Sequence, residues 1–360
     1  MEPEKTIYFS TDSNNAFLAD VRKEIDVYFK LKKISKTANG WIHFKTLMFL
    51  FSCVFLYCIL LNGWFPILPR LLIWTVFGMN QALIAVNVGH DALHGSYFDS
   101  PLANKILGFL AYDCLGLSSY IWKQTHNREH HTYTNIAGAD PDIDKPGILR
   151  LSPHAPYYKI HRFQYLYVWI LYAFVSLNWI FYADYTHLWK LRKNVPLRES
   201  ILFFCFKILN ICVMLVLPLL FSPMEPWIVL SGFMLLHCAA GLTVSIIFQL
   251  AHVVENVEFP LPDKDGAIPV AWGVHEMMTT SNFANANKLV TYLTGGLNFQ
   301  IEHHLAPKIS HCHYPQLSKI VRANAKKHKL PYHEYFTTRA AILSHAKFLK
   351  KLGSFSKFVS

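Results

Sequence analysis

Four long apolar runs constrain this chain more than anything else in its sequence. They cover about residues 44–61, 71–88, 200–221 and 227–250. Each is long enough to cross a hydrocarbon core of about 30 Å at 1.5 Å per residue. In lipid every backbone polar group must find its partner within the protein. The fold class read from these runs is therefore all-α integral membrane, with four transmembrane helices. The overall content of 52% hydrophobic residues is close to that of a soluble protein, so it is the clustering that decides.

The turn Asn62-Gly-Trp-Phe-Pro-Ile-Leu-Pro69 holds no lysine or arginine, and neither does Ser222-Pro-Met-Glu-Pro226. Each pair of runs thus reads as a hairpin with a charge-poor outer turn. By the positive-inside rule, the basic remainder and both termini lie in the cytoplasm. The net charge of +11 then points to anionic lipid headgroups rather than nucleic acid.

Residues 1–43 read as a cytoplasmic N-terminal segment, 44–335 as the membrane domain and 336–360 as a basic tail. Phe17–Lys33 has helical spacing suited to a surface helix. Beyond Pro315 the pattern is again basic and helical, a cytoplasmic cap. The span from Asn104 to Ile121 reads as a surface or re-entrant segment. Phe163–Ala183 is also apolar, but an even number of crossings must separate histidine clusters that meet on one side. It is therefore expected to be an interfacial hairpin. The seven scattered cysteines form no C-x-x-C pair, so free thiols are expected. The first fifteen residues lack the pattern of a leader, and the C-terminal SFSKFVS carries no retrieval or lipidation signal.

Histidines gather where the apolar runs end. His90 and His94 follow the second run, four apart, so a continuing helix places them on one face. His126, His130 and His131 come next. On an α-helix His126 and His130 share a face, and His131 points about 100° away, toward a second metal. His252 closes the fourth run, and His303 and His304 stand side by side. A lone buried histidine is usually a hydrogen-bonded core residue, but three spaced clusters are not explained by packing. Imidazole suits iron, zinc, copper and nickel, and eight histidines exceed what one metal holds. Asp91, Glu129 and Glu302 each neighbour a histidine and are expected to orient imidazoles by accepting the far N–H. His161 and His275 are borderline, and the remaining histidines read as structural. A metal pair beside apolar helices suits a lipid-like substrate, because attack on an unactivated C–H bond needs an oxidant built from O₂.

His90-Asp-Ala-Leu-His94, His126-Asn-Arg-Glu-His130-His131 and Gln300-Ile-Glu-His303-His304 resemble the three histidine boxes of the membrane fatty acid desaturase family. Order, spacing and position after the second span all match, over roughly residues 40–335. Gln300 at the head of the third box resembles the front-end subgroup, which inserts a cis double bond between an existing one and the carboxyl end. Phe248-Gln-Leu-Ala-His252 is similar to that family's additional histidine. The resemblance implies two iron ions with O₂ as co-substrate, held by His90, His94, His126, His130, His131, His252, His303 and His304. Gln300 would be a ligand or a neighbour of one. A fatty acyl substrate is implied, carried on CoA, a carrier protein or a lipid. Many front-end relatives carry a fused haem domain with His-Pro-Gly-Gly, a motif missing from this sequence. A separate electron donor such as a ferredoxin or cytochrome is expected, docking on the basic surface. A bacterial inner membrane is expected rather than the endoplasmic reticulum, and the acyl tunnel should be lined from the spans and Trp122.

Three rival readings stand beside this one. His126-x-x-Glu129-His130 fits a zinc peptidase motif with glutamate as base, but it leaves the other clusters idle. A metal transporter would place its ligands within the spans rather than at their ends. Hydroxylases, ketolases and alkane monooxygenases of the same superfamily insert oxygen with similar boxes.

Overall fold

The computed structural model describes residues 6–10, 15–145 and 147–354. The first five residues and the last six, which bear on targeting signals, lie outside the described residues.

The helices, in chain order, are α1 (Asn15–Lys32), α2 (Gly40–Asn62), α3 (Ile67–His94), α4 (Pro101–Asp113), α5 (119–133), α6 (Lys159–Ala173), α7 (Val175–Leu191), α8 (Leu197–Phe221) and α9 (Pro226–His252). Then come α10 (Trp272–Thr279), α11 (Lys288–Thr294), α12 (Gln300–Leu305), α13 (Tyr314–Lys327) and α14 (Thr338–Leu352). Two short parallel strand pairs staple distant segments. Tyr8–Phe9 lies beside Ala267–Ile268, and Ser281–Phe283 beside His333–Tyr335.

Four helices, α2, α3, α8 and α9, are long and apolar enough to cross a membrane. They extend the sequence-read spans by several residues at most ends. In particular α3 continues without a break to His94, and α9 to His252. The apolar stretch 163–183 is broken instead: α6 and α7 meet at 61°. A bend that sharp sets this pair apart from the four straight helices.

The helix pair α3–α9 forms the centre of the bundle, and glycines let the two backbones approach. A Cβ at Gly78 would run into the Leu236 backbone, and one at Gly232 into the Trp74 indole. Such close approach replaces the hydrophobic drive that lipid cannot supply between helices. Gly78→Ala is expected to cost about 1–3 kcal/mol through overpacking, read as a lower thermal midpoint of the detergent-solubilised protein.

A second layer covers one end of the bundle. In α1, Phe17, Val21, Ile25 and Phe29 recur every four residues and are buried against Leu317, Val321 and Ala325 of α13. The surface helix read from the sequence thus lies on the protein body. The segment read as a tail also contributes structure, since Phe348, Leu349 and Leu352 of α14 pack with Val168 and Tyr172 of α6. In α4 the exposed Leu102, Ile106 and Leu110 form a stripe opposite buried Asn104, Gly108 and Ala111, as a surface-lying helix requires. All seven cysteines are free.

Candidate metal centre

Four separate parts of the chain deliver imidazoles to one buried place where the bundle meets its covering layer. A π turn at Ala85–Gly89 precedes His90–His94, and Gly95 ends the helix at φ 77°. His90 and His94 share a face, with ring centroids 4.6 Å apart. In α5 the segment Lys123–His130 is a π-helix, which brings residues five apart over one another rather than four. The expected approach of His126 and His130 is met, with the rings stacked at 5.1 Å, and the π turn brings His131 to His126 as well. His126 Nε2 lies 3.2 Å from His131 Nε2, and His131 Nε2 lies 3.0 Å from His303 Nε2.

The ligating atoms of His90, His94, His126 and His303 all fall within 4.8 Å of one another, and so do those of His130, His252 and His304. His126, His130 and Asp142 meet the same criterion. His131 sits between the first two groups, its ring stacked on His304 at 4.3 Å. Gln300 Nε2 is 3.1 Å from His252 Nε2 and 3.5 Å from His304 Nε2.

The residues that orient these rings are mostly not the ones their sequence neighbours suggest. His130 Nδ1 faces Asp140 at 3.1 Å, His304 Nδ1 faces Glu276 at 2.7 Å, and His303 Nδ1 faces the Tyr314 hydroxyl at 3.0 Å. Asp140 also accepts from the Asn135 and Asp142 backbone N–H groups. Asp91 lies 3.9 Å from His90 Nδ1, but its strong partners are Ser310 and His311, at 2.9 and 2.8 Å. Glu302 reaches no imidazole; it accepts from Asn282 and Tyr332, both at 2.8 Å. No hydrogen bond among the described residues joins Glu129 to an imidazole. His275 touches none of the eight rings and instead contacts the Thr134 carbonyl at 2.9 Å. His161 packs at a distance, against Gly147 and Tyr158.

A family model described as fatty acid desaturase matches residues 62–336. This chain belongs to the fatty acid desaturase family. It is 37% identical over 347 residues to the sn-1 linoleoyl-lipid 6-desaturase of Synechocystis sp., covering 93% of this chain and 95% of that one. The Arthrospira platensis protein of the same description is 31% identical, with 93% and 92% covered. The acyl-lipid (8-3)-desaturase of Physcomitrium patens is 31% identical, covering 97% of this chain and 74% of that one. The protein is thus an oxidoreductase that desaturates fatty acyl chains, and with its four apolar helices it is a membrane protein of an iron-dependent family.

The desaturase's donor set fits such a metal. Burial holds His126, His131, His303 and His304 well below the ordinary imidazole value, and neighbouring imidazoles push them further down. These rings are neutral and carry lone pairs. Burial also opposes charge on His130, but the Asp140 and Asp142 carboxylates override it and hold the ring up to about 9. Burial pushes the Glu276 carboxyl well above its ordinary range. His90 Nδ1 and Nε2, His94 Nε2, His130 Nε2, His252 Nδ1 and Gln300 Oε1 are buried without a hydrogen-bond partner. Orphaned buried nitrogens are costly, and a cation among them would satisfy several at once.

Proposed function

We propose that the protein is a front-end acyl-lipid desaturase with two irons. His90, His94, His126 and His303 would hold one iron, and His130, His252 and His304 the other, with His131 between them. Gln300 sits beside the second group, and its unpartnered Oε1 is free to join it. Bound iron would supply the O₂-derived oxidant that an unactivated C–H bond demands. Asp140, Glu276 and Tyr314 would fix ring orientation through Nδ1, leaving Nε2 to face inward. Trp122 stacks on His126 at 4.3 Å, and with Phe248 it separates the imidazoles from the spans and excludes water from the reacting carbons. The four spans would form two hairpins with α6–α7 re-entrant, which puts the cluster and both termini on the cytoplasmic side of a bacterial membrane. A separate one-electron carrier would dock on the basic face.

The observation that carries this proposal is the convergence of two imidazole groups at the ends of α3 and α9. Its test is elemental analysis of the purified protein, combined with product analysis in a host fed linoleate. Two irons per chain are expected, with a new double bond between the existing ones and the carboxyl end. One zinc per chain, or a hydroxylated product, would overturn the proposal.

A sharper expectation concerns the orienting carboxylates. Asp140→Asn and Glu276→Gln should each weaken iron retention by about 10- to 100-fold, while Glu302→Gln should leave it near wild type. Competition with a chelator measures all three.

A further inference from the structure

On the span side of the histidine cluster lies a small cavity of about 30 Å³. Its walls include Gln81 and Ala85 of α3, Leu117, Ser176 and Trp179, and Val244 of α9. Two contacts tie it to the cluster. Val244 packs with Phe248, whose ring lies 5.6 Å from His126 and 6.3 Å from His90. Ala85 packs near Trp122, which stacks on His126.

Gln81 and Ser176 are the polar walls. Polar side chains inside apolar helices are costly and tend to mark function. Gln81 is buried, and its Nε2 reaches only the Met214 sulfur, at 3.5 Å. Sulfur is a weak acceptor, so the amide keeps donor capacity toward the cavity. Ser176 Oγ is 3.0 Å from His237 Nδ1, and His237 Nε2 is buried without a partner. A proton on Nε2 would be an orphaned donor, the rarer and costlier case. The tautomer with the proton on Nδ1 leaves only a lone pair unmet. That ring then donates to Ser176, whose own O–H is released into the cavity.

We propose that Gln81 and Ser176 recognise the double bond already present in the acyl chain. A saturated chain gains nothing from these donors. A cis double bond offers π electrons, which accept N–H and O–H hydrogen bonds weakly. The placement matches the chemistry, and here the inference rests on the front-end reading of the site. In that reaction the existing double bond lies on the methyl side of the reacting carbons, deeper among the spans. Gln81 stands nine residues before His90 on the same helix, about 13 Å along its axis at 1.5 Å per residue.

The test uses the full-length protein in lipid with its electron donor. KM is measured for a linoleoyl lipid, and Ki for the matching stearoyl lipid as competitor, so that binding of the saturated chain is read without turnover. Gln81→Met and Ser176→Ala are each expected to narrow the preference for the linoleoyl chain about two- to fivefold, and the double variant about tenfold. Ser176→Thr, which keeps the hydroxyl, is expected to restore the wild-type ratio. Both constants come from one preparation, so partial misfolding does not move their ratio. A double variant with the wild-type ratio overturns the inference alone. A wild type that does not convert the linoleoyl lipid overturns the front-end reading and this inference with it.

Discussion

His304→Ala is expected to lower turnover by about a hundredfold or more, beyond what loss of an orienting partner costs, while the protein still inserts and purifies as a folded species. His304 belongs to the second group and also touches His131. Its centroid lies 4.3 Å from His131, 4.8 Å from His252 and 5.0 Å from His130. Truncation leaves the second group with two imidazoles. It also strips Glu276 of its 2.7 Å partner, leaving that carboxyl with Thr134 and Trp272. An unsatisfied buried polar group costs about 1–3 kcal/mol, well short of what four apolar helices gain by insertion. Iron content, product yield and elution as a monodisperse peak should therefore separate: the first two fall and the third holds. His130→Ala should behave alike, with Asp140 losing its imidazole. His161→Ala, whose ring contacts Gly147 and Tyr158, should keep full iron. Full turnover by His304→Ala would remove the second group from the mechanism.

The spans and the imidazoles were legible in the sequence for the same reason: both are patterns of local composition. An apolar run announces a lipid-facing helix, and histidines at a run's end stand out from packing. What the sequence did not disclose depends on how the backbone turns between those points. Lys123–His130 has no glycine or proline to flag a π-helix, so α-helical spacing gave the His126–His130 approach but not that of His131, five residues on, whose Nε2 lies 3.2 Å from that of His126. The carboxylates were misassigned on the same ground of adjacency. Glu129 and Glu302 each precede a histidine in sequence, yet adjacent side chains on a helix diverge. The carboxylates closest to the clustered rings, Asp140 and Glu276, come from a loop and from α10. An available signal was the acidic loop Ala139-Asp-Pro-Asp-Ile-Asp144 directly after the second box. Its charges are out of place so near a membrane unless one of them is paired inside. The bend between α6 and α7 matches the interfacial hairpin inferred from parity in one respect: the segment is not a straight helix.

Lys207→Met is expected to destabilise the protein by about 3–5 kcal/mol, the cost of breaking a buried ion pair by removing one partner. Lys207 lies in α8 among apolar residues, and its side chain is 4% exposed. The ammonium is 2.6 Å from Asp184 Oδ2, 2.7 Å from the Gly116 carbonyl and 3.1 Å from the Trp179 carbonyl. The last contact is possible because Trp179–Ala183 is a π turn, which frees a carbonyl that an α-helix would have used. One cation thus ties α8 to α7 and to the loop ahead of α5. Those two elements supply Trp179, Leu115 and Leu117 to the cavity beside the cluster. Methionine fills the space but donates nothing, so Asp184 loses its cation and keeps only the Ser118 backbone N–H, and two carbonyls lose their donor. Adding Asp184→Asn removes the stranded charge, and the double variant should recover a large part of the loss. Thermal unfolding in detergent would show the order wild type, double variant, single variant. If instead Lys207→Met matched wild type in stability, the carboxylate would have to be protonated or solvated where it stands, and the clamp would be only a packing contact. The two effects should also part in substrate range. The double variant keeps the fold but leaves Gly116 and Trp179 untethered, so its preference between unsaturated and saturated chains should weaken even where its stability returns.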